Sequence, residues 1–229
     1  MLEDLTIAQL KEMILAISHT IIGSVDVLTE ADRNIGDGDH GLGMSRGFEG
    51  VRDIVTPARF SSARDLLKTV GDTLIDRMGG ASGIVFGLMF RAGARGLGDG
   101  ECVTVRDLAE YFERSIAEIM KRGGAKPGDK TMLDALVPAA AALTQAAEER
   151  VDIVSALSAA AKTAEAGKER TRQLVARFGK ASTMGSRSLG YPDAGAVSVT
   201  LIFNAMRDWA AAQAVPRGTA AQSRPTEGI

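Results

Sequence analysis

The sequence predicts an all-α protein, and three observations support this class. Apolar residues recur at intervals of three and four over most of the 229 residues, as they do along one face of a helix. Alanine, which favours helix, is abundant, whereas aromatic residues make up only 4% of the chain. Nowhere do β-branched and polar residues alternate over a convincing strand length, so a sheet has little support.

The first helix is marked by apolar residues at helical spacing from Ile7 to Leu28, and Thr6 with Gln9 forms a capping box before them. Pro138 lies inside the sixth predicted helix, which it either kinks or divides into two shorter helices. The other helices are predicted over 44–55, 62–78, 82–97, 104–122, 131–149, 152–178 and 194–212.

These elements predict one domain, residues 1–213, folded as a bundle or barrel of about eight antiparallel amphipathic helices. The segment 214–229 differs, because proline, glycine and serine interrupt any helical pattern there. We expect it to be a flexible C-terminal tail.

Glycine, aspartate, serine and threonine are concentrated in four loops, at 29–43, 79–83, 123–131 and 179–195. Two predicted helices separate each of these loops from the next. In an up-and-down bundle, loops separated by an even number of helices lie at the same end. The sequence therefore predicts a ligand site at one end of the bundle, where the four polar loops meet.

The composition excludes several classes of partner and site. The 27 basic and 29 acidic residues nearly balance, so no broad positive field is present to hold nucleic acid or an anionic membrane. The single cysteine, Cys102, excludes an internal disulfide framework and a multi-cysteine metal site. The acidic start at Met1 and the lack of any run of 18 apolar residues favour a cytoplasmic protein without a membrane segment.

An acidic, glycine-rich loop over 32–41 follows the first helix. Aspartates two residues apart do not share a helix face, whereas a loop can direct Asp37 and Asp39 toward one point, with Asp32 entering from the helix end. Hard oxygen ligands around a small site suit magnesium, which takes its remaining oxygens from water and substrate phosphates. The loop therefore predicts a magnesium site formed by Asp32, Asp37 and Asp39.

Two other structures compete for this loop. An EF-hand would place Asp32, Asn34 and Gly36 at positions 1, 3 and 5. It is excluded because position 6 is Asp37 instead of glycine and position 12 is Gly43 instead of glutamate. A polar turn with ordinary solvated aspartates is the other alternative, and the three further polar loops make it less favourable.

The loop 79–83 opens the fourth predicted helix, where free backbone amides and the helix dipole favour a phosphate group. A glycine turn with Ser82 as the helix N-cap accounts for this loop equally well. A serine-hydrolase elbow is excluded, because the fifth position of Gly-x-Ser-x-Gly counted from Gly80 is Ile84. The residues around Gly179 do not form a P-loop either.

Three further side chains near these loops are candidates, each with a simpler alternative. His40 either donates to a phosphate oxygen or hydrogen-bonds an aspartate from behind. Met132 either packs on an adenine face or belongs to the core. Arg187 is either a fixed cation for phosphate or an ordinary surface arginine. His19, inside the first helix, is expected to be structural or exposed.

Four motifs, together with their order along the chain, resemble the nucleotide-binding L subunit of bacterial dihydroxyacetone kinase. That family folds as a barrel of eight antiparallel helices with the nucleotide at one end, in agreement with the loop argument. The resemblance covers about residues 5–209 and is carried by Asp32 with Gly36-Asp37-Gly38-Asp39-His40-Gly41, Gly79-Gly80-Ala81-Ser82-Gly83, Pro127-Gly128-Asp129-Lys130-Thr131-Met132-Leu133-Asp134, and Ser186-Arg187-Ser188-Leu189-Gly190 with Asp193-Ala194-Gly195-Ala196.

The resemblance implies a role for each site residue. Asp32, Asp37 and Asp39 are implied to hold two Mg²⁺ ions that bridge the nucleotide phosphates, and together with His40 they form the catalytic group. The ADP or ATP is implied to contact twelve residues: His40, Gly41, Leu42, Gly43, Ala81, Ser82, Gly123, Met132, Arg187, Asp193, Ala194 and Gly195.

The resemblance also implies partners. In this family a separate K subunit binds dihydroxyacetone, and in phosphotransferase-dependent systems the bound ADP is rephosphorylated in place by a phosphohistidine protein. A histidine at position 40 resembles that type. A homodimer is left open. The chain departs from the family pattern at the rim of the site, which leaves open another keto-sugar such as a tetrulose; the positions are Gly43, Lys180, Thr183 and Tyr191.

Two functions of other classes compete with the kinase. One is a regulatory module that reports nucleotide state to a transcription factor without catalysis. The other is metal-dependent phosphoester hydrolysis, for which the sequence offers no evident nucleophile or base apart from His40.

Overall fold

The computed structural model describes residues 2–98 and 100–214. The predicted tail, apart from residue 214, therefore lies outside the described residues. The regular secondary structure of the described chain is almost entirely helical, which confirms the all-α class. Its α-helices are α1 (Ile7–Gly23), α2 (Val25–Arg33), α3 (His40–Val55), α4 (Ala63–Met78), α5 (Gly80–Ala94), α6 (Val105–Gly123), α7 (Leu133–Glu148), α8 (Ile153–Arg170) and α9 (Ala194–Ala214).

Three shorter features complete the description. Two 3-10 helices, Thr171–Gln173 and Lys180–Ser188, lie between α8 and α9. The strands β1 (Leu5–Thr6) and β2 (Cys102–Val103) form a small antiparallel pair near the start of α1.

The helices form a closed ring. From α3 to α9 each helix packs against the next one in the chain, and α1 packs against both α3 and α9, which closes the barrel. One hydrophobic core fills it, and every α-helix contributes to that core, for example through Leu10, Leu28, Phe48, Leu74, Phe86, Phe112, Leu136, Leu157 and Phe203. Burial of this continuous apolar interior is the main force that holds the ring together.

The first predicted helix is bent into two. The predicted capping box is present, because Thr6 Oγ1 accepts from the Gln9 amide and the Gln9 side chain accepts from the Thr6 amide. At Ser24, however, the chain turns by 57° between α1 and α2. Ser24 Oγ donates to the carbonyl of Thr20 at 2.7 Å, and a Gly–Ser pair is a common cause of such a bend. A continuous helix over this region was therefore wrong.

Several other predicted helix boundaries differ from the structure, two of them by four residues or more. The helix α3 begins at His40 instead of residue 44, so its first turn belongs to the acidic loop. The helix α8 ends at Arg170 instead of continuing to residue 178. Pro138 lies within an uninterrupted α7, so the predicted alternative of two shorter helices was wrong. Because proline has no amide hydrogen, the Asp134 carbonyl lacks its usual helical donor, and Gly167 of α8 packs against that carbonyl.

Within the described ranges, no single helix is long and apolar enough to cross a membrane, whereas the bent pair α1 and α2 together meets the criteria of length and composition.

Candidate functional site

The four polar loops meet at one end of the barrel, as the sequence predicted, and enclose a cavity of about 460 Å³. This size is within the range of small-molecule binding sites. Each loop contributes to its wall: Asp32 and Asp39 from the first, Ala81 and Ser82 from the second, Gly123, Lys130 and Met132 from the third, and Lys180, Asp193 and Gly195 from the fourth.

The acidic loop curls around the carboxylate of Asp32. Oδ2 of Asp32 accepts hydrogen bonds from the amides of Gly38, at 2.8 Å, and His40, at 3.3 Å. Gly38 has a φ of 78°, a conformation that favours glycine. One oxygen from each of Asp32, Asp37 and Asp39 lies within 4.8 Å of the other two. The predicted convergence of the three carboxylates is therefore present.

This donor set fits a hard divalent cation. Asp32 is half-buried and fixed by backbone amides, whereas Asp37 and Asp39 are exposed and able to adjust their positions. Three carboxylates this close repel one another unless a cation compensates them. Oxygen-only ligands with room for water and phosphate suit Mg²⁺ better than softer metals.

A lysine from the fourth loop reaches the same carboxylates. Lys180 Nζ donates to Oδ2 of Asp37 and, at 2.9 Å, to Oδ2 of Asp39. The hydrogen bond from Lys180 holds the pKa of Asp37 below its usual value, and the two carboxylates raise the pKa of Lys180. The acidic loop thus has a positively charged partner from the fourth loop, which is a second sign that it accommodates a cation.

The His40 side chain is buried on the inner side of the loop. Its Nε2 lies 2.7 Å from Ser198 Oγ, and its ring lies 5.9 Å from that of Phe86. Burial lowers the pKa of His40, although the charges of Asp32 and Asp39 oppose this effect. Burial therefore favours the uncharged imidazole, and its Nε2 shares a hydrogen bond with Ser198 of α9.

The second loop ends at the N-terminus of α5, which faces the cavity. The turn is made by Gly79, with a φ of 69°, and Gly80, with a φ of 59°. Ala81 and Ser82 lie in the first turn of the helix, so the interpretation of Ser82 as N-cap was wrong. The first amides of a helix lack partners within it, and together with the helix dipole they favour a bound anion.

The third loop contains a buried lysine that the sequence did not identify as a site residue. Lys130 is 1% exposed and has a φ of 60°. Its Nζ donates to the carbonyl oxygens of Thr171 and Tyr191, each at 2.6 Å. Burial lowers the pKa of Lys130, and the charge of Asp193 opposes this shift. Lys130 therefore joins the third loop to the 3-10 helix after α8, through Thr171, and to the fourth loop, through Tyr191.

Asp193 caps the last helix. Its Oδ2 accepts from the Ala196 amide at 2.8 Å, and its own amide donates to Thr171 Oγ1 at 2.9 Å. Burial raises the pKa of Asp193 to about 7, despite the opposing hydrogen bond from the Ala196 amide and the charge of Lys130. The carboxyl group therefore changes protonation near neutral pH.

Most of the residues expected at the site line the cavity, and four do not. Asp37 reaches the acidic cluster from outside the cavity wall. Gly41 packs against α2, where a Cβ would clash with Thr29 Oγ1 and the Val25 carbonyl. The remaining two are exposed: Leu42 on the outer side of α3, and Arg187 beyond the bend at Gly185. Those that do line it are Asp32, Asp39, His40, Gly43, Ala81, Ser82, Gly123, Met132, Asp193, Ala194 and Gly195.

Arg187 is thus not the cation that faces the cavity. The chain changes direction at Gly185, and Ser188 turns inward to accept from the Ala176 amide at 3.0 Å, which leaves Arg187 exposed. The cations in the cavity wall are Arg46, Lys130 and Lys180. Arg46 had a signal in the sequence, because it lies three residues after Gly43 on the same face of α3.

Comparison with known proteins gives one family. The family model described as the DAK2 domain matches residues 34–208. The ADP-binding subunit DhaL of the PEP-dependent dihydroxyacetone kinase of Escherichia coli (strain K12) is 40% identical over 174 residues, which cover 76% of this chain and 83% of that protein. The L-erythrulose kinase of Pectobacterium atrosepticum is 37% identical over 188 residues, which cover 81% of this chain and 32% of that protein.

Solved structures agree with the sequence comparison. The dihydroxyacetone kinase of C. freundii in complex with AMP-PNP and Mg²⁺ matches with a TM-score of 0.68 and 25% identity, over 91% of this chain and 35% of that one. The chain therefore spans about a third of the larger kinases, but most of the length of the DhaL subunit.

Proposed function

Because the chain belongs to the DAK2 domain family, we propose that this kinase subunit binds ADP or ATP with Mg²⁺ and transfers a phosphoryl group to dihydroxyacetone or a related keto-sugar. The observation that carries the proposal is that a cluster of three carboxylates, two of which line the cavity, lies at the same cavity as a helix N-terminus. Its relatives are named as kinases or kinase subunits.

Each wall of the cavity suits one part of a nucleotide. The first-turn amides of α5, at Ala81 and Ser82, are placed to donate to phosphate oxygens. Met132 is 5% exposed and lies with Phe178 in the same wall, where both offer an apolar surface to a base. The phosphates would then lie toward the acidic loop and the base toward the third and fourth loops.

The acidic loop would hold the metal. Asp32, Asp37 and Asp39 are the proposed ligands of two Mg²⁺ ions, and when bound these ions neutralise the charge that develops on the transferring phosphoryl group. The chain's own contribution is to orient the loop, through the amides of Gly38 and His40 that fix the Asp32 carboxylate. Little covalent chemistry remains for the protein in such a transfer.

The keto-sugar and the partners belong to the same proposal. The E. coli relative is named as the ADP-binding subunit of a PEP-dependent kinase, which supports a separate K subunit for the ketone and a phosphohistidine protein as phosphoryl donor. The cytoplasm is the proposed location of all three. The erythrulose kinases among the relatives support a tetrulose as the second candidate substrate. A regulatory module without catalysis finds no support among relatives that are named as kinases.

The test is phosphoryl transfer in the presence of a purified K subunit, with dihydroxyacetone and erythrulose as acceptors. Donors are ATP and a reconstituted phosphohistidine protein. The variants Asp37→Asn and Asp39→Asn should lose most transfer, whereas Asp53→Asn, an exposed aspartate paired with Arg52 near the other end of α3, should retain it. Full transfer by both acidic-loop variants would show that the proposed site is wrong.

A further inference from the structure

A single lysine side chain lies between two carboxylates of the acidic loop. Lys180 Nζ contacts Oδ2 of both Asp37 and Asp39, although these residues are more than 140 positions away in the sequence. Oxygens of the same two carboxylates and of Asp32 form the group that fits a divalent cation. An ammonium group thus contacts two of the three carboxylates that are the candidate metal ligands.

The other cations of the cavity wall do not serve this purpose. Lys130 Nζ points away, to the carbonyl oxygens of Thr171 and Tyr191. Arg46 is exposed, and within the described part of the chain no hydrogen bond or ion pair joins it to an aspartate. Of the three cations in the cavity wall, Lys180 is therefore the one that contacts the carboxylates of the acidic loop.

We propose that Lys180 is a tethered substitute for a metal cation. It pairs with Asp37 and Asp39 when no metal ion is bound to them, and it exchanges them for nucleotide phosphate oxygens when a divalent cation binds with the nucleotide. The inference rests on the proposed function, because it takes the acidic loop as the metal site. It adds a competition between the chain's own ammonium group and the metal, which sets the metal affinity.

The competition follows from geometry and charge. Metal–oxygen bonds are about 2.0–2.6 Å long, shorter than the 2.9 Å from Lys180 Nζ to Asp39 Oδ2, so the metal would lie inside the contact that the ammonium group now makes. Two cations this close also repel each other strongly. Lys180 must therefore leave the carboxylates, and the nearest new anionic partners are the phosphates of the nucleotide.

The segment that carries Lys180 has a hydrogen-bonded base and an exposed tip. We call residues 174–190 the strap. At its base the Gly190 amide donates to the Arg172 carbonyl at 2.8 Å, and Arg172 Nη1 donates to the Gly190 carbonyl at 3.0 Å. At its tip Lys180 is exposed and follows Gly179, which has a φ of 63°. The flexible lysine side chain can therefore change partner while the base keeps its position.

A specific pattern of affinities follows. Metal alone has to displace Lys180 without offering it another partner, so it binds weakly. Metal with nucleotide offers the ammonium group phosphate oxygens, so the two ligands assist each other. Removal of the ammonium group should therefore change the two affinities in opposite directions. The protein should bind metal alone more tightly and metal with nucleotide more weakly.

The test compares Lys180→Met with wild type. Mn²⁺ binding without nucleotide is measured by electron paramagnetic resonance, and Mg-ADP binding by isothermal titration calorimetry. Lys180→Met should bind Mn²⁺ alone roughly fivefold more tightly, the effect expected for loss of an exposed ion pair, and should bind Mg-ADP more weakly. Lys180→Arg, which keeps a cation at the same place, should restore the weak binding of Mn²⁺ alone.

A second variant distinguishes the effect of the direct contact to the carboxylates from the effect of removing any positive charge from the cavity. Arg46→Met removes a positive charge from the same cavity without breaking a contact to the acidic loop, so it should strengthen Mn²⁺ binding less than Lys180→Met does. The inference is overturned if Lys180→Met binds Mn²⁺ alone no more tightly than wild type, or if the two variants gain equally. If wild type still binds Mg-ADP in that case, only the lysine inference fails; if wild type binds neither metal nor Mg-ADP, the proposed function fails as well.

Discussion

The Nε2 atom of His40 lies 2.7 Å from the hydroxyl oxygen of Ser198, and this hydrogen bond joins the first turn of α3 to α9. The amide of His40 also donates to the carboxylate of Asp32, so the bond anchors the end of the acidic loop to the barrel wall. The side chain of His40 thus positions the loop from the inside.

Ser198→Ala should destabilise the fold by leaving His40 Nε2 buried without its partner. The expected fall in the free energy of unfolding is about 1–3 kcal/mol, the typical cost of an unsatisfied buried polar group. Urea denaturation measures it. The matched control is Ser18→Ala, since Ser18 is also fully buried but bonds only to the Ile14 carbonyl of its own helix. Equal losses in the two variants would contradict this role of Ser198.

Asp193 should make stability depend on pH in a direction unusual for an aspartate. Its pKa is raised by burial from 3.8 to about 7, so between these values the folded protein holds a proton that the unfolded chain has released. The free energy of unfolding therefore contains a contribution that is present below pH 3.8 and is lost as the pH rises to about 7.

Asp193→Asn tests this dependence, because the amide oxygen can still accept from the Ala196 amide while the titrating group is removed. The stability of the variant relative to wild type should increase from pH 4 to pH 7 and then level off, as measured by denaturation at each pH. A difference that is constant over this range would show that Asp193 does not titrate as described.

Two glycines of α3, both expected at the nucleotide, should respond oppositely to alanine. A Cβ at Gly41 would clash with Thr29 Oγ1 and the Val25 carbonyl, so Gly41→Ala should lower stability by about 1–3 kcal/mol. A Cβ at Gly43 meets nothing within 4 Å, so Gly43→Ala should raise stability by about 0.5–1 kcal/mol through helix propensity. Thermal denaturation of the pair checks the close packing of α3 on α2, and a stable Gly41→Ala protein would refute it.

The sequence predicted those features that local pattern determines. The apolar spacing identified the helices, the Thr6–Gln9 pair identified the start of α1, and the count of helices between loops predicted one polar end. The bend at Ser24 escaped prediction because the apolar spacing from Ile7 to Leu28 continues across it unchanged.

The positions of side chains that depend on turns within loops, or on contacts with distant segments, were not predictable from the sequence. Lys180 and Arg187 are both cations of the same loop, and only the turn at Gly185 places the first over the acidic loop and the second outside it. Lys130 is likewise indistinguishable from a surface lysine in the sequence, although it is buried. Its burial depends on carbonyl groups of Thr171 and Tyr191 that are brought to it by two other segments.

The proposed function requires that one site bind nucleotide through metal held by Asp32, Asp37 and Asp39. The most direct measurement is thermal melting of the nucleotide-free protein with EDTA, with Mg²⁺ alone, with ADP alone, and with Mg²⁺ and ADP together. A substantial rise in the melting temperature is predicted only when both are present, since a ligand at 100 times its dissociation constant stabilises the native state by about 2.7 kcal/mol. An unchanged melting temperature with Mg²⁺ and ADP together would contradict the proposed function.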